Sequence, residues 1–300
     1  MKKVQVLLST FNGQEYLDDQ IKSLILQEGV RVEILVRDDG SSDNTIPMLI
    51  EWESKGVLSW YNGDNMKPAK SFMNLIQNSP KSDYYAFCDQ DDIWDKDKLK
   101  VAVSFLEKFD DKEPGLYFSN TRLVDYNLNL IKSNKHNPKI TLGSALIFYC
   151  ATGCTELFNH ALIEVIRKHD YVKNNSHDNW IYKVCLAIGG NVVFDEIPHI
   201  SYRQHGNNYT GGNISIYDIY KQRVKNLFTE RSHVREQDAK ELLKGYSELM
   251  HKENIDKVER VAFYRISLRN KINLLFDKDI KEDRLSFNFA FVCSVLLNAL

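Results

Sequence analysis

Cys88-Asp89-Gln90-Asp91-Asp92-Ile93-Trp94 sets three carboxylates within four positions, directly after the apolar run Tyr84-Tyr85-Ala86-Phe87. A strand ending in Asp-x-Asp presents hard oxygen ligands at the sheet edge where α/β proteins bind ligands, which suits Mg²⁺ or Mn²⁺ carrying a diphosphate. Repulsion between carboxylates one residue apart favours either a bound cation or a raised pKa. A calcium loop would need a Gly and a Glu at later positions, and neither follows. The chemistry implied is that of nucleotide sugars. A solvated acidic turn ahead of the Lys96 helix is the structural alternative, with Trp94 as core.

Two more loops carry candidate chemistry. Ser9-Thr10-Phe11-Asn12-Gly13 lies at the carboxyl end of a first apolar run, where strand ends and helix starts leave free backbone donors. The Gly-rich dinucleotide and P-loop patterns are both absent. Arg37-Asp38-Asp39-Gly40-Ser41-Ser42-Asp43-Asn44-Thr45 follows a second apolar run. A carboxylate here can accept from a nucleobase imide or a ribose hydroxyl, Gly40 permits the tight turn, and Asp43 can cap the next helix.

These loops need strands and helices to hold them. Val4–Leu8, Val32–Val36, Leu58–Tyr61 and Tyr84–Cys88 read as strands, each separated from the next by apolar residues at helical spacing: Leu17, Ile21 and Leu24, then Ile46, Leu49 and Ile50, then Phe72, Leu75 and Ile76. Three crossovers of this length predict parallel strands covered by helices, an α/β fold. Leu116–Ser119 and Val192–Phe194 predict further strands. Asp125 to Thr141, rich in Asn, Lys and Pro, predicts a surface loop. A helix follows Asn175-Ser176 and ends at Gly189-Gly190. Residues 213–300 keep helical spacing without strand punctuation, which predicts an all-helical appendage after a catalytic domain over residues 1–212.

Composition bounds the remaining choices. With 300 residues, 43% hydrophobic and 27% charged, the chain suits a soluble globular protein. A net charge of −2 gives no nucleic-acid footprint, although residues 213–300 are basic, with 16 Lys+Arg against 13 Asp+Glu. Five scattered cysteines point to a reduced, cytoplasmic setting, and the N-terminus lacks the apolar core of a signal peptide. Leu285 to Leu300 is nearly all apolar yet short for a span, so a buried or interfacial helix is expected, with peripheral contact at the inner face of the cell membrane as one use. The oligomeric state is left open.

Taken in order and spacing, the three loops resemble the inverting family 2 glycosyltransferases of the GT-A fold, a mixed, Rossmann-like sheet flanked by helices. The resemblance covers about residues 3–212. It rests on Ser-Thr-Phe-Asn-Gly, Asp-Asp-Gly-Ser-Ser-Asp-Asn-Thr and Asp-Gln-Asp-Asp-Ile-Trp. It implies that Thr10, Asn12 and Asp39, with Asp38, hold the nucleotide. Asp91 would bind the metal, and Asp89 would contact ribose or metal-bound water. Phe11 stands where the family usually has tyrosine.

Ser176-His177-Asp178-Asn179-Trp180 lies where that family places an acidic residue, which makes Asp178 the catalytic base for an acceptor hydroxyl. Without the resemblance, Asp178 reads as a first-turn acid favoured by the helix dipole. His177, Trp180 and Trp94 are taken as acceptor-side or orienting residues. Tyr202-Arg203-Gln204-His205 would bring Arg203 to the diphosphate and His205 to the cation.

The combination looks most like the bacterial rhamnosyltransferase branch. That implies dTDP-L-rhamnose as donor and an O-antigen or capsular glycan on a lipid carrier as acceptor. UDP-linked hexose or N-acetylhexosamine donors stay open. A nucleotidyltransferase would need a Gly-rich, basic N-terminal loop, and a non-catalytic carbohydrate-binding protein would need neither Asp178 nor a nucleotide pocket.

Overall fold

The computed structural model describes residues 1–133, 137–148, 150–169, 176–205, 233–280 and 285–300. The expected helix around Tyr217 to Leu227, and the boundary at 212, lie outside these residues.

The four apolar runs become β1 (Lys3–Thr10), β2 (Arg31–Asp38), β3 (Leu58–Asn62) and β4 (Tyr84–Cys88). Between them run α1 (Leu17–Ile25), α2 (Thr45–Ser54) and α3 (Pro68–Asn78). β1 pairs in parallel with both β2 and β4, and β2 with β3, as crossovers of this length require. Alternation along β1 and β4 assigns the two sheet faces. Val4, Val6, Leu8, Tyr84, Ala86 and Cys88 join the core under α1, whereas Leu7, Tyr85 and Phe87 join the core on the other side. Strands buried on both faces read as nearly continuous apolar runs, which is why β1, β2 and β4 are visible in the sequence, whereas the edge strand β3 buries only Leu58.

The rest of the sheet comes from β6 (Gly115–Ser119), β9 (Leu157–Asn159) and β10 (Asn191–Asp195), giving the order β10-β6-β9-β4-β1-β2-β3. β9 runs antiparallel to both β4 and β6, which makes the sheet mixed. A second sheet is ordered β5-β11-β7-β8, from β5 (Ile93–Trp94), β7 (Arg122–Val124), β8 (Leu130–Ser133) and β11 (Ile200–Arg203). The segment expected as one long loop from Asp125 therefore contains a hairpin arm. β7 and β8 pair antiparallel across a tight turn in which Asp125 Oδ1 accepts from the Asn127 and Asn129 amides.

α4 (Lys98–Leu106), α5 (Leu142–Ile147), α6 (His160–Ile166) and α7 (His177–Ala187) complete this part. Beyond residue 232 follow α8 (Val234–Tyr246), α9 (Lys252–Ala262), α10 (Leu268–Leu275) and α11 (Leu285–Leu296). Ala239, Leu242, Tyr246, Val258, Val261, Tyr264, Phe291 and Val295 lie in one core with Trp180, Ile181 and Val184 of α7. The C-terminal helices are thus a wall of the same core. Lys183 Nζ pairs with Asp238 Oδ2 at 2.6 Å in full burial, joining α7 to α8. Asn254 Nδ2 donates to the Leu186 and Ala187 carbonyls at the end of α7, satisfying acceptors a helix C-terminus leaves open. No helix among the described residues is long and apolar enough to cross a membrane.

Candidate active site

β1, β2 and β4 end side by side, so their three following loops meet at one edge of the sheet. The loops are stitched by hydrogen bonds rather than merely adjacent. Asn12, at φ +49°, accepts on Oδ1 from the Ser42 amide at 2.9 Å, and its own amide donates to Ser41 Oγ at 2.8 Å. The Gly13 amide donates to Thr45 Oγ1, and the Gln14 amide to Asp43. Gln90, the middle residue of Asp-x-Asp, accepts from Thr10 Oγ1 at 2.6 Å and from the Phe11 amide at 2.9 Å. A Cβ on Gly13 would sit 2.4 Å from Gln90 Oε1 and 2.8 Å from Thr10 Oγ1, so this approach needs a glycine.

The two acids of the second loop face inward. Asp38 is fully buried and accepts from the Gly40 and Ser41 amides and from Ser41 Oγ, shaping the turn that Gly40 makes at φ +82°. Asp39 pairs with Arg37 and accepts from the Met66 amide at 3.0 Å. Asp38 is therefore occupied as a turn former, which the sequence left unread, and Asp39 is braced beneath the loop.

The Asp-x-Asp loop joins the two sheets. It leaves β4 and enters β5, which pairs antiparallel with β11, and β11 delivers the residues after it to the loop. His205 Nε2 lies 2.9 Å from Asp91 Oδ2. The Tyr16 ring supports the arrangement from the first loop, with its centroid 4.7 Å from the His205 ring and 4.6 Å from the Arg203 guanidinium carbon. Arg203 itself is buried. Its Nε donates to the Asp91 carbonyl at 2.9 Å, its Nη1 to the Tyr126 carbonyl at 2.8 Å, and its backbone amide to Asp92 Oδ1 at 3.1 Å. The guanidinium expected at the diphosphate ties the acidic loop to the β7–β8 hairpin.

Asp89 is pushed up to about 7, by burial first and then by the Asp91 and Asp178 carboxylates. Asp92, buried, is raised well above the usual carboxylate range by burial and then by Asp91 and Asp89. Lys98, also buried, is brought down to about 8 by burial, with its ammonium 3.4 Å from the Trp94 ring centroid. Ligand atoms of Asp89, Asp92 and Cys154 lie within 4.8 Å of one another. The Asp89 and Asp92 carboxylates meet the Cys154 thiol here, while Asp91 pairs separately with His205; the carboxylate oxygens of this loop are of the hard type that suits Mg²⁺ or Mn²⁺.

Asp178 stands in the first turn of α7. Its Oδ2 accepts from the Gly153 amide at 3.0 Å and its Oδ1 from the Asn179 amide at 2.7 Å. Its charge reaches Asp89, so the acid of α7 and the acids of the β4 loop share one site.

Three residues expected on the acceptor side are placed elsewhere. His177 is buried, stacked on Phe72 at 4.0 Å and edge-on to Phe87 at 4.5 Å, and burial brings it down to about 4. Trp180 is in the core shared with the C-terminal helices, and Trp94 is in the core under α1. At helix positions, the face a side chain takes depends on what packs there, and short windows do not reveal it.

Sequence reasoning missed Gln90 as the stitch, Tyr16 as the support, and Glu156. Glu156 is fully buried between Gly153–Thr155 and β9, with no hydrogen-bond partner for either oxygen among the described residues. Burial, then Asp178, raises it well above the usual range. Nothing in Gly-Cys-Thr-Glu-Leu-Phe marks it.

Comparison with known proteins identifies the family and the fold. The sequence profile described as Glycosyl transferase family 2 matches residues 5–166. The dTDP-rhamnosyl transferase RfbG of Shigella flexneri is 30% identical over 241 residues, 72% of this chain and 77% of that protein. The UDP-Glc:alpha-D-GlcNAc-diphosphoundecaprenol beta-1,3-glucosyltransferase WfgD of Escherichia coli is 26% identical over 174 residues, 56% of this chain and 66% of that protein. Among solved structures, mannosyltransferase PcManGT from Pyrobaculum calidifontis, in complex with GDP-Man and Mn²⁺, superposes with TM-score 0.54 at 14% identity. It covers 99% of this chain and 86% of that one, and shares the fold.

Proposed function

This chain belongs to glycosyltransferase family 2, and from that premise we propose an inverting, metal-dependent transfer from dTDP-L-rhamnose to a hydroxyl of a lipid-linked bacterial surface glycan, at the cytoplasmic face of the membrane. The observation that carries the reading is the Asp91–His205 pair at 2.9 Å, in the same loop after β4 as Asp89, whose carboxyl pKa the Asp178 charge helps to raise. The match to a rhamnosyl transferase supports the donor, and the diphosphoundecaprenol substrate in the WfgD name supports the acceptor class.

Asp91 and His205 would hold the divalent cation, with Asp89 at its edge. A cation there neutralises charge on the departing nucleoside diphosphate. Thr10 and Asn12 line the nucleotide side, and Asp39 braces it. Asp178 is the base: it accepts the proton of the acceptor hydroxyl as that oxygen bonds to the anomeric carbon and the bond to the diphosphate breaks on the opposite face. Its hydrogen bond from Gly153 fixes the carboxylate beforehand, so little reorganisation is needed at the moment of transfer. Residues 1–212 form the catalytic unit, and the helices beyond it back α7.

The test is nucleoside diphosphate release from a panel of dTDP-rhamnose, UDP-glucose, UDP-galactose and UDP-N-acetylglucosamine, with Mn²⁺, Mg²⁺ or chelator, with and without a lipid-linked acceptor. The expected result is acceptor-stimulated release from dTDP-rhamnose that chelator abolishes. Preference for a UDP-sugar would replace the donor, and turnover indifferent to chelation would remove the metal. Absence of release from every donor would leave a binding protein.

A further inference from the structure

α10 and α11 pack against each other, and each turns an apolar stripe outward. At 100° per residue, Leu268, Ile272 and Phe276 fall within about a quarter turn, and Phe289, Val292 and Leu296 do the same on α11. Leu268 is 73% exposed, Phe276 74% and Phe289 69%, with Ile266 at 74% just ahead of α10. The opposite face of α11 buries Phe291 and Val295 in the core. α11 is therefore docked rather than detached, and its outer stripe is a fixed surface. Large exposed apolar groups gathered on neighbouring helices mark a contact site.

Charge selects the partner. Among the described residues of this region, Glu236 holds Arg265, Asp277 holds Arg260, and Asp279 holds Lys257. Arg269, Lys271 and Lys278 pair with no acid among the described residues. Arg269 lies on one flank of the α10 stripe and Lys271 on the other. Apolar side chains between cations that meet no acid among the described residues fit an anionic phospholipid surface, where the apolar groups enter the acyl boundary and the cations meet headgroup phosphates. A second copy of the chain fits poorly, because a two-fold contact would set the same cations against each other. We propose that the α10–α11 face seats the protein in the plane of an anionic bilayer through Leu268, Ile272, Phe276, Phe289, Arg269 and Lys271. The proposal deepens the proposed function, resting on its lipid-linked acceptor for its purpose and on this surface for its evidence.

Cosedimentation of the full chain with vesicles of phosphatidylglycerol and phosphatidylethanolamine, and with vesicles of phosphatidylcholine alone, tests it. Binding is expected on the anionic vesicles and at least about tenfold weaker on the neutral ones or in high salt. Phe276→Ser with Phe289→Ser, and separately Arg269→Glu with Lys271→Glu, should each weaken anionic-vesicle binding about tenfold or more, with thermal unfolding unchanged. A wild-type chain that stays in the supernatant with both vesicle types overturns the proposal, as does a pair of variants that bind like wild type. A dimer by light scattering that the serine variant dissociates, with no vesicle binding, also overturns it in favour of a second copy. Transfer to a water-soluble acceptor should be unchanged in all variants. Failure of transfer with every acceptor while vesicle binding persists would refute the enzyme reading and leave the surface standing.

Discussion

The Asp178 carboxylate accepts from the Gly153 amide on Oδ2 and from the Asn179 backbone and side-chain amides on Oδ1. Asn in its place keeps the shape and loses the proton acceptor. Asp178→Asn is therefore expected to lower kcat by about 10²–10⁴-fold while donor affinity, read by calorimetry with the nucleoside diphosphate and Mn²⁺, changes little. Full activity in that variant would remove Asp178 as base. His177, one residue earlier, gives a pH signature. Its ordinary value is 6.5 and burial holds it at about 4, so the unfolded chain binds more protons between these values. The stability is complete above pH 6.5 and declines as pH falls toward 4, by roughly 3 kcal/mol in full. Urea unfolding at pH 7 and pH 4.5 should show a steeper loss for the wild type than for His177→Asn. Of these two neighbours, the sequence marks Asp178 through its motif. It misplaces His177, because only the Phe72 and Phe87 rings, distant in the chain, turn that imidazole inward. Arg203 is marked by its type, since a guanidinium suits a diphosphate, but its bonds to the Asp91 and Tyr126 carbonyls join segments far apart in the chain and leave no mark in the sequence.

α7 is the element on which the proposed base depends, and it is held from behind. Lys183 meets Asp238 in full burial, and Asn254 caps the far end. Removing one member of such a pair strands the other charge. Lys183→Met is expected to cost about 3–5 kcal/mol in denaturant unfolding, and adding Asp238→Leu should recover most of it. Equal losses in the single and double variants would mean that the pair contributes nothing beyond packing. The long strands were legible as apolar runs, since burial on both faces leaves β4 wholly apolar or aromatic and few polar positions in the middle of β1 and β2. β5, β7, β9 and β11 were not, because strands of two to four residues carry no period. Their pairing is decided by the β4–β9–β6 and β5–β11–β7 ladders, which join segments far apart in sequence.

At the scale of the molecule, the helices beyond residue 232 and the α/β part share one core. Truncation after residue 284 would expose the sites of Phe291 and Val295, and the Leu300 amide would no longer donate to Tyr264 Oη at 3.1 Å. A loss of about 5 kcal/mol is expected, seen as a melting temperature lower by about 10 °C or more. An unchanged melting temperature would show the terminal helix to be dispensable for the fold. The helical character of this region was readable from periodicity, but its commitment to α7 was not, because one apolar face looks the same whichever core receives it. The Asp91–His205 contact spans 114 positions and sits where the seven-stranded and four-stranded sheets meet. Neither sheet contains the site alone. On the proposed reading, catalytic competence belongs to this seam, so a substitution that loosens the contact between the two sheets should cost activity even where each sheet is intact.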